Sequence, residues 1–328
     1  MSALALIACR RGVAVSGCDT DLAGAPDLAA LGVRILQGHD PSHLAGVRAL
    51  VVTAAVAPGH PELERARELG IPIVPRKAAL AELIAGAQAV GVSGTHGKTT
   101  TTVMTTEALV AGGLTPTGIA GGRVASWGGN ARIGGDSLFV VEADEFDKAF
   151  LTLHPTVAIV NNVEPDHLEC YGSMAALEDA FVEFAGRAQV AIINADDPGA
   201  QQVGGRIGTA VRRFGCARSA DIRISDVVQQ AASTEARVLW GDRRETRLRI
   251  KVPGLHNLRN AVAALAAVDA LGGALEPAAA ALGDFQGVGR RFERLGEFAG
   301  VEVVDDYAHH PSELAATLSA ARQAFPGR

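Results

Sequence analysis

Gly94-Thr95-His96-Gly97-Lys98-Thr99-Thr100 is the stretch on which the fold of this chain turns. An apolar run, Ala87 to Val92, leads into it as a strand, and a helix is expected to leave it. Strand, glycine-rich loop and helix in that order make a phosphate cradle. Backbone N–H groups of the loop wrap phosphate oxygens, and the helix N-terminus adds partial positive charge. In that role Lys98 neutralises β- and γ-phosphates, and Thr99 ligates Mg²⁺. The spacing departs from the generic P-loop, because Val92 stands where the first glycine is expected. A tight turn with a solvated lysine is the plainer reading, and the strand–loop–helix context favours the cradle. Lysine occurs only at Lys77, Lys98, Lys148 and Lys251, so one in this loop stands out.

Downstream, Glu142 ends the apolar strand Leu138 to Val141, within Glu142-Ala-Asp-Glu-Phe-Asp147. A carboxylate at a strand's C-terminal end, next to a P-loop strand, is placed to hold Mg²⁺. The alternative is a solvated acidic loop. His167 follows another strand end, in Asn161-Asn-Val-Glu-Pro-Asp-His167. Mg²⁺ prefers oxygen, so chemistry alone leaves a metal ligand and a satisfied loop histidine equally open. His256-Asn257 and Asn260 open an Ala-rich helix. Asparagine can read an adenine edge, but residue type alone favours a helix cap. Arg290, Arg291 and Asp306 could clamp phosphate and take ribose hydroxyls, or could be surface charge at a linker. Asp19 ends a strand where a Rossmann acidic residue binds ribose, without the glycine-rich turn that would support it.

Strands alternate with helices along most of the chain, which predicts parallel α/β sheets. A helix over Ala3 to Ala8 ends near Gly12, and strands follow at Val13–Asp19, Val33–Leu36 and Leu50–Val52. Leu28 to Leu31 and Pro61 to Leu69 read as helices. A Rossmann-like unit normally begins with a strand and a glycine-rich turn. This chain begins inside the first helix, so residues 1–86 are expected to be an incomplete Rossmann-like domain. Residues 87–286 form a second α/β unit, with strands at Leu138–Val141, Val157–Val160 and Val190–Ile193. It has helices at Ala175–Phe184 and Asn257–Leu271, and an antiparallel or edge strand at Arg247–Val252. Phe285 to Phe292 reads as a linker. Residues 287–328 then start a third α/β unit, with one strand at Val301–Val304 and one helix capped by Ser312 and running to Ala324. One strand and one helix cannot bury a core, so that unit is expected to be unfinished.

Composition bounds the function classes. Of 328 residues, 48% are apolar and 20% charged, which is the globular range. Aromatics are only 4%, so the core must rely on Ala, Val, Leu and Ile. The formal net charge of −6, without a long basic run, argues against nucleic acid. No apolar stretch approaches the roughly 18 residues of a spanning helix, so no membrane role is expected. Cys9, Cys18, Cys170 and Cys216 form no CxxC pair, and scattered thiols suggest a reducing compartment. With no signal peptide in view, a cytoplasmic location is expected.

Taken in order, seven segments resemble the Mur ligase family. They are Gly94-Thr-His-Gly-Lys-Thr-Thr100, Glu142-Ala-Asp-Glu145, Asn162-Val-Glu-Pro-Asp-His167, Asn194-Ala-Asp-Asp-Pro198, Pro253-Gly-Leu-His-Asn257, Gly289-Arg-Arg-Phe-Glu293 and Asp305-Asp-Tyr-Ala-His-His-Pro311. The Thr-His form of the loop and Asp-Tyr-Ala-His-His-Pro are similar to the alanine-adding branch. Other branches use a carbamylated lysine, and no lysine lies between Lys148 and Lys251 here. The resemblance implies a P-loop central ATPase domain between two Rossmann-like domains. It implies that Gly94 to Thr100 hold ATP, with Lys98 and Thr99 on phosphate and Mg²⁺, Glu142 on the first Mg²⁺ and His167 near the second. It also implies adenine contacts from Asn257 and Asn260, and nucleotide contacts from Arg291 and Asp306.

The implied reaction joins L-alanine to the lactyl carboxylate of UDP-N-acetylmuramate through an acyl phosphate. A sibling activity attaches a recycled tripeptide to the same sugar nucleotide. A non-catalytic nucleotide-binding fragment is a third reading. Because both ends of the family pattern are missing, the chain as given is expected to bind ATP weakly at best and not to complete ligation. An oxidoreductase is disfavoured, because the dinucleotide turn is missing and a phosphate-binding lysine is present.

Overall fold

The computed structural model describes residues 1–22 and 26–328. The N-terminal unit runs α1 (Ser2–Arg10), β1 (Ser16–Asp19), α2 (Pro26–Ala30), β2 (Arg34–Gln37), β3 (Leu50–Val52), α3 (Pro61–Glu68), β4 (Ile73–Pro75) and α4 (Arg76–Leu83). Its strands do not make one sheet. β1 pairs in parallel with β2, and β3 with β4, with no ladder joining the two pairs among the described residues. Strands of three or four residues, none of them fully buried, have little sheet core of their own. The flanking helices must hold them. Of these, α1 buries Leu4, Leu6 and Ile7 in a core shared with the central sheet.

The central unit comprises β5 (Gln88–Ser93), α5 (Lys98–Ala111), β6 (Thr117–Val124), β7 (Gly129–Arg132), β8 (Leu138–Glu142), β9 (Val157–Val160), α6 (Leu168–Tyr171) and α7 (Met174–Gly186). It continues through β10 (Val190–Asn194), α8 (Pro198–Gly204), β11 (Ala210–Gly215), β12 (Ile222–Gln230), β13 (Ser233–Trp240), β14 (Glu245–Ile250), α9 (Leu255–Ala270) and α10 (Leu275–Gly283). Ten strands form one sheet in the order β14-β13-β12-β11-β10-β9-β5-β8-β6-β7. The run from β12 to β6 is parallel, and β13, β14 and β7 join antiparallel. β14 is the expected edge strand, with alternate side chains exposed and buried.

Helices cover both faces, as a parallel sheet requires. One face packs Val103, Met104 and Leu109 of α5 against the Ala-rich α9 and against α10. Small alanine side chains let α5 and α9 approach closely, which holds the loop before α5 against the start of α9. The other face packs Phe181 and Phe184 of α7 on Phe150, with ring centroids 5.1 and 5.0 Å apart. Burying an aromatic side chain of this size contributes about 1.5–3 kcal/mol.

The last unit holds β15 (Glu293–Phe298), β16 (Val301–Asp305) and α11 (Pro311–Ala324). Its single expected strand is in fact an antiparallel hairpin. β15 escapes a sequence reading because Glu293-Arg-Leu-Gly-Glu-Phe298 shows no clean alternation and is mostly exposed. The expected cap is also corrected. His310, not Ser312, is the N-cap of α11, and Pro311 opens the first turn. Glu313 accepts the amide hydrogens of His309 and His310 at 3.1 and 3.3 Å. The Ser312 hydroxyl turns away to Glu164 and His96.

Candidate active site

Parallel strands put their C-terminal ends on one edge, where α/β proteins bind ligands. β5 pairs Val92 with Glu142 of β8 and Ser93 with Val160 of β9. The loop at 94–97, the carboxylate of Glu142 and the segment after Val160 therefore share that edge. The loop is pressed onto β9. A Cβ at Gly94, whose φ is 137°, would lie 3.0 Å from Asn161 Cβ and 3.1 Å from the Asn162 amide nitrogen. Gly97, at φ 77°, lies under Asn260, whose Oδ1 would be 3.1 Å from any Cβ there. Both positions need glycine, for conformation and for space.

Thr95 and His96 are anchors, which narrows the expectation that the whole loop wraps phosphate. The Thr95 amide donates to the Asn162 carbonyl at 3.1 Å, and the His96 amide to Asn162 Oδ1 at 2.7 Å. Thr95 Oγ1 accepts from the Glu164 amide at 2.9 Å. The donors left for an anion are at the start of α5, where the N–H groups of Lys98, Thr99 and Thr100 have no intrahelical partner.

Lys98 is not a solvated lysine. Its ammonium donates to the carbonyls of Gly94 and Thr95 at 2.8 and 3.2 Å and to Glu145 Oε1 at 2.9 Å. Glu145 is buried, and burial pushes its carboxyl above the ordinary range while the Lys98 charge pulls it back. Its other oxygen, Oε2, is buried without a hydrogen-bond partner. Ligand atoms of Glu145, Asp166 and His167 all lie within 4.8 Å of one another. His167 has the left-handed φ of 51° and packs edge-on to Phe146. Glu145 thus links His167 to the loop lysine. An orphaned buried carboxylate oxygen beside a second carboxylate and an imidazole fits a cation.

Glu142 Oε2 accepts the Gly121 amide at 2.7 Å, and a Cβ at Gly121 would meet both Glu142 oxygens at 2.7 Å. A Cβ at Gly122 would touch Thr99 Cγ2 at 3.7 Å. Strand β6 therefore brackets Thr99 and Glu142 together, and their hydroxyl and carboxylate oxygens are the donors Mg²⁺ prefers.

Asn257, Asn260, Arg291 and Asp306 line a cavity of about 1230 Å³ between the central unit and the last segment, with His96, Gly97 and Thr100 at its wall. Lys98, Thr99, Glu142 and His167 are not among its lining residues. Neither asparagine caps α9, whose N-cap is Gly254. Asn257 instead donates to the Pro253 carbonyl at 2.7 Å. Both oxygens of Asp306 hold backbone amides, those of Phe292 and Ala308, each at 2.8 Å. Arg291 lies 3.7 Å from Glu313 and faces the Tyr307 ring.

His96 joins the loop to α11. Its Nδ1 is 3.2 Å from Glu313, and its Nε2 is 3.0 Å from Ser312 Oγ, 3.2 Å from His310 Nδ1 and 3.3 Å from Glu164. Burial alone would lower His96, but Glu313 and Glu164 raise it above the ordinary histidine value. Burial would raise Glu313, but His96 and the His309 amide hold it down near about 2. Glu145, Asn161, Asn162, Glu164, Ser312 and Glu313 were missed as site residues in the sequence. Glu145 and Glu164 stand inside the quoted acidic and Asn162–His167 motifs, which was the available signal.

A lysine-bearing loop between a central parallel strand and a helix, flanked by a carboxylate on the next strand, defines a P-loop nucleotide-binding protein. The Mur ligase middle domain matches residues 92–268. Two further models match, the Mur ligase family, catalytic domain, over 1–88 and the Mur ligase, glutamate ligase domain, over 290–328. The chain belongs to the Mur ligase family. It is 45% identical to a UDP-N-acetylmuramate–L-alanine ligase of Acidothermus cellulolyticus, across the whole chain and 70% of that protein. It is 42% identical to one of Burkholderia cenocepacia, across the whole chain and 73% of that protein. The fold is similar to a UDP-N-acetylmuramate–alanine ligase of Thermotoga maritima, with TM-score 0.88 and 31% identity over 99% of this chain and 75% of that one. A murein peptide ligase of Psychrobacter arcticus superposes with TM-score 0.85 and 26% identity, over the whole chain and 75% of that one. ATP is the nucleotide this family uses. No helix among the described residues is long and apolar enough to cross a membrane.

Proposed function

We propose that this chain joins L-alanine to the lactyl carboxylate of UDP-N-acetylmuramate, with hydrolysis of ATP to ADP and phosphate, in the cytoplasm where ATP is available. The observation that carries the reading is the pairing of Val92 with Glu142, which sets a carboxylate beside the Lys98 loop. A carboxylate cannot expel oxide, so it must first be activated. The lactyl carboxylate attacks the γ-phosphorus, ADP leaves, and an acyl phosphate forms. The amine of L-alanine then attacks the acyl carbon, loses a proton and expels phosphate.

Lys98, held by two loop carbonyls and Glu145, presents its charge to the transferring phosphoryl group. The free N–H groups at the start of α5 take phosphate oxygens. Thr99 and Glu142 would hold one Mg²⁺, and His167, with Asp166 and Glu145, a second. The metal would supply neutralisation of the phosphate charge. Asn257, Asn260, Arg291 and Asp306 border the cavity proposed for the rest of the nucleotide. Residues 1–86 are the proposed sugar-nucleotide unit, 87–286 the ATP unit and 287–328 part of the amino-acid unit.

The test supplies UDP-N-acetylmuramate, labelled L-alanine and ATP, and follows ADP and labelled product. Equal amounts of both are expected, with hydroxylamine trapping the acyl phosphate when alanine is omitted. ATP binding is measured beside it, and Lys98→Ala is expected to weaken both by at least about a hundredfold. ADP release that ignores the sugar nucleotide, or that survives Lys98→Ala, would refute the assignment. The tripeptide in place of L-alanine distinguishes the activity of the P. arcticus neighbour.

A further inference from the structure

In the N-terminal unit, remote from the phosphate loop in sequence, one buried carboxylate gathers a thiol and several imidazoles. Glu62, in the first turn of α3, is 5% exposed. Its Oε1 lies 3.0 Å from His43 Nδ1 and 3.2 Å from Cys18 Sγ. Its Oε2 lies 3.3 Å from Cys18 Sγ and 3.6 Å from His39 Nδ1. Cys18 Sγ and His39 Nδ1 are themselves 3.4 Å apart. Ligand atoms of Cys18, His43 and Glu62 all fall within 4.8 Å of one another. His60 accepts the Glu62 amide at 3.3 Å and meets His39 edge-on at 4.9 Å, which orients the His39 ring.

We propose that Cys18, His43 and Glu62 form a Zn²⁺ site in the N-terminal unit, with His39 beside it. Metal bonds of about 2.0–2.3 Å at tetrahedral angles put neighbouring donor atoms roughly 3.4–3.6 Å apart. The separations of Glu62 Oε1 from His43 Nδ1 and Cys18 Sγ, 3.0 and 3.2 Å, are close to those edges. One thiolate, one imidazole and one carboxylate make a borderline-soft donor set, which suits Zn²⁺ and Co²⁺ and suits Mg²⁺ poorly.

Cys18 is on β1, His39 and His43 follow β2, and Glu62 opens α3, which leads into β4. These are the two strand pairs that no ladder joins. The three residues of the site thus come from elements of both pairs. A hydrogen-bonded cluster is the competing account, since Glu62 also accepts the Asp40 amide at 3.3 Å. Zn²⁺ binding would displace the Cys18 proton to solvent, and metal titration separates the two accounts.

The experiment uses the untagged 328-residue chain. After metal-free dialysis it is titrated with Zn²⁺ against a chromogenic chelator, then loaded with Co²⁺. The expected result is one tight Zn²⁺ per chain and a thiolate-to-cobalt charge-transfer band. Cys18→Ser should abolish the band, because Cys18 is the one cysteine within a metal-ligand grouping among the described residues. His43→Gln should weaken Zn²⁺ by at least about tenfold, the range seen even for outer-shell partners. Unchanged circular dichroism in both variants separates loss of ligation from loss of folding, and Cys18→Ser is close to isosteric. No stoichiometric metal on the wild-type chain, or a band that survives Cys18→Ser, would overturn the proposal.

Discussion

Glu142 receives the amide hydrogen of Gly121 on the neighbouring strand β6, and both its oxygens would collide with a methyl group there. Glu142→Gln keeps that amide contact and removes the charge, so Mg²⁺-dependent ATP turnover should fall at least about tenfold with little change in melting temperature. Gly121→Ala should produce the same defect without touching Glu142, because the carboxylate must move; titration of Mg²⁺ against turnover checks both. Glu145→Ala predicts a different signature. Removing one partner of a buried ion pair costs about 3 kcal/mol, so the urea midpoint should drop along with activity. Lys98, Thr99 and Glu142 were legible in the sequence because a phosphate site needs fixed residue types at fixed offsets, whereas His167 entered only through the family resemblance. Gly121 and Asn162 were not, since their roles depend on strand register and on a loop folding back over β9. Thr95 and His96 were legible as loop residues, but not that their amides would go to Asn162.

The element that connects function to the rest of the chain is the contact between the phosphate loop and α11. His96 faces Glu313 and Ser312 of α11, Glu164 of the loop after β9, and His310 at the helix cap. A histidine with a raised pKa stabilises the contact fully below its unfolded value near 6.5, and the stabilisation is lost as pH rises through its higher folded value. Glu313, depressed to about 2, works in the opposite sense: its contribution is complete above its ordinary value of 4.5 and lost toward pH 2. The loop-to-α11 contact should therefore be strongest between about pH 4.5 and 6.5 and weaken on the alkaline side. Hydrogen exchange of α11 amides against pH reads this directly, and His96→Gln should flatten the alkaline limb. Long apolar strands such as Val157–Val160 and Val190–Asn194 were readable because both their faces are buried. The hairpin at β15–β16 and the split N-terminal strands were not, because short exposed strands carry no periodic signal.

Across the whole molecule, burial is uneven. Val90, Val92, Ile159 and Ile192 in the central sheet are fully buried, and helices cover both faces. In α11 only Ala320 is buried, and Leu295, Phe298, Val301, Leu314 and Leu318 of the last segment stand exposed. Stability follows such differences, so opening of the chain should be graded. Amides of β5, β9 and β10 should exchange only through global unfolding, and those of residues 293–324 orders of magnitude sooner. The cavity that ATP is proposed to fill has Arg291, Asp306 and Glu313 of that last segment on one side and Asn257, Asn260 and Gly97 on the other. A ligand that touches both walls adds its binding free energy to their association, about 2.7 kcal/mol at a hundredfold excess over Kd. Saturating ATP should therefore slow exchange in β15, β16 and α11 by up to about a hundredfold, the fold-change that free energy represents, while leaving β1–β4 unchanged. Protection confined to α5 and the phosphate loop would instead mean that the nucleotide engages the central unit alone.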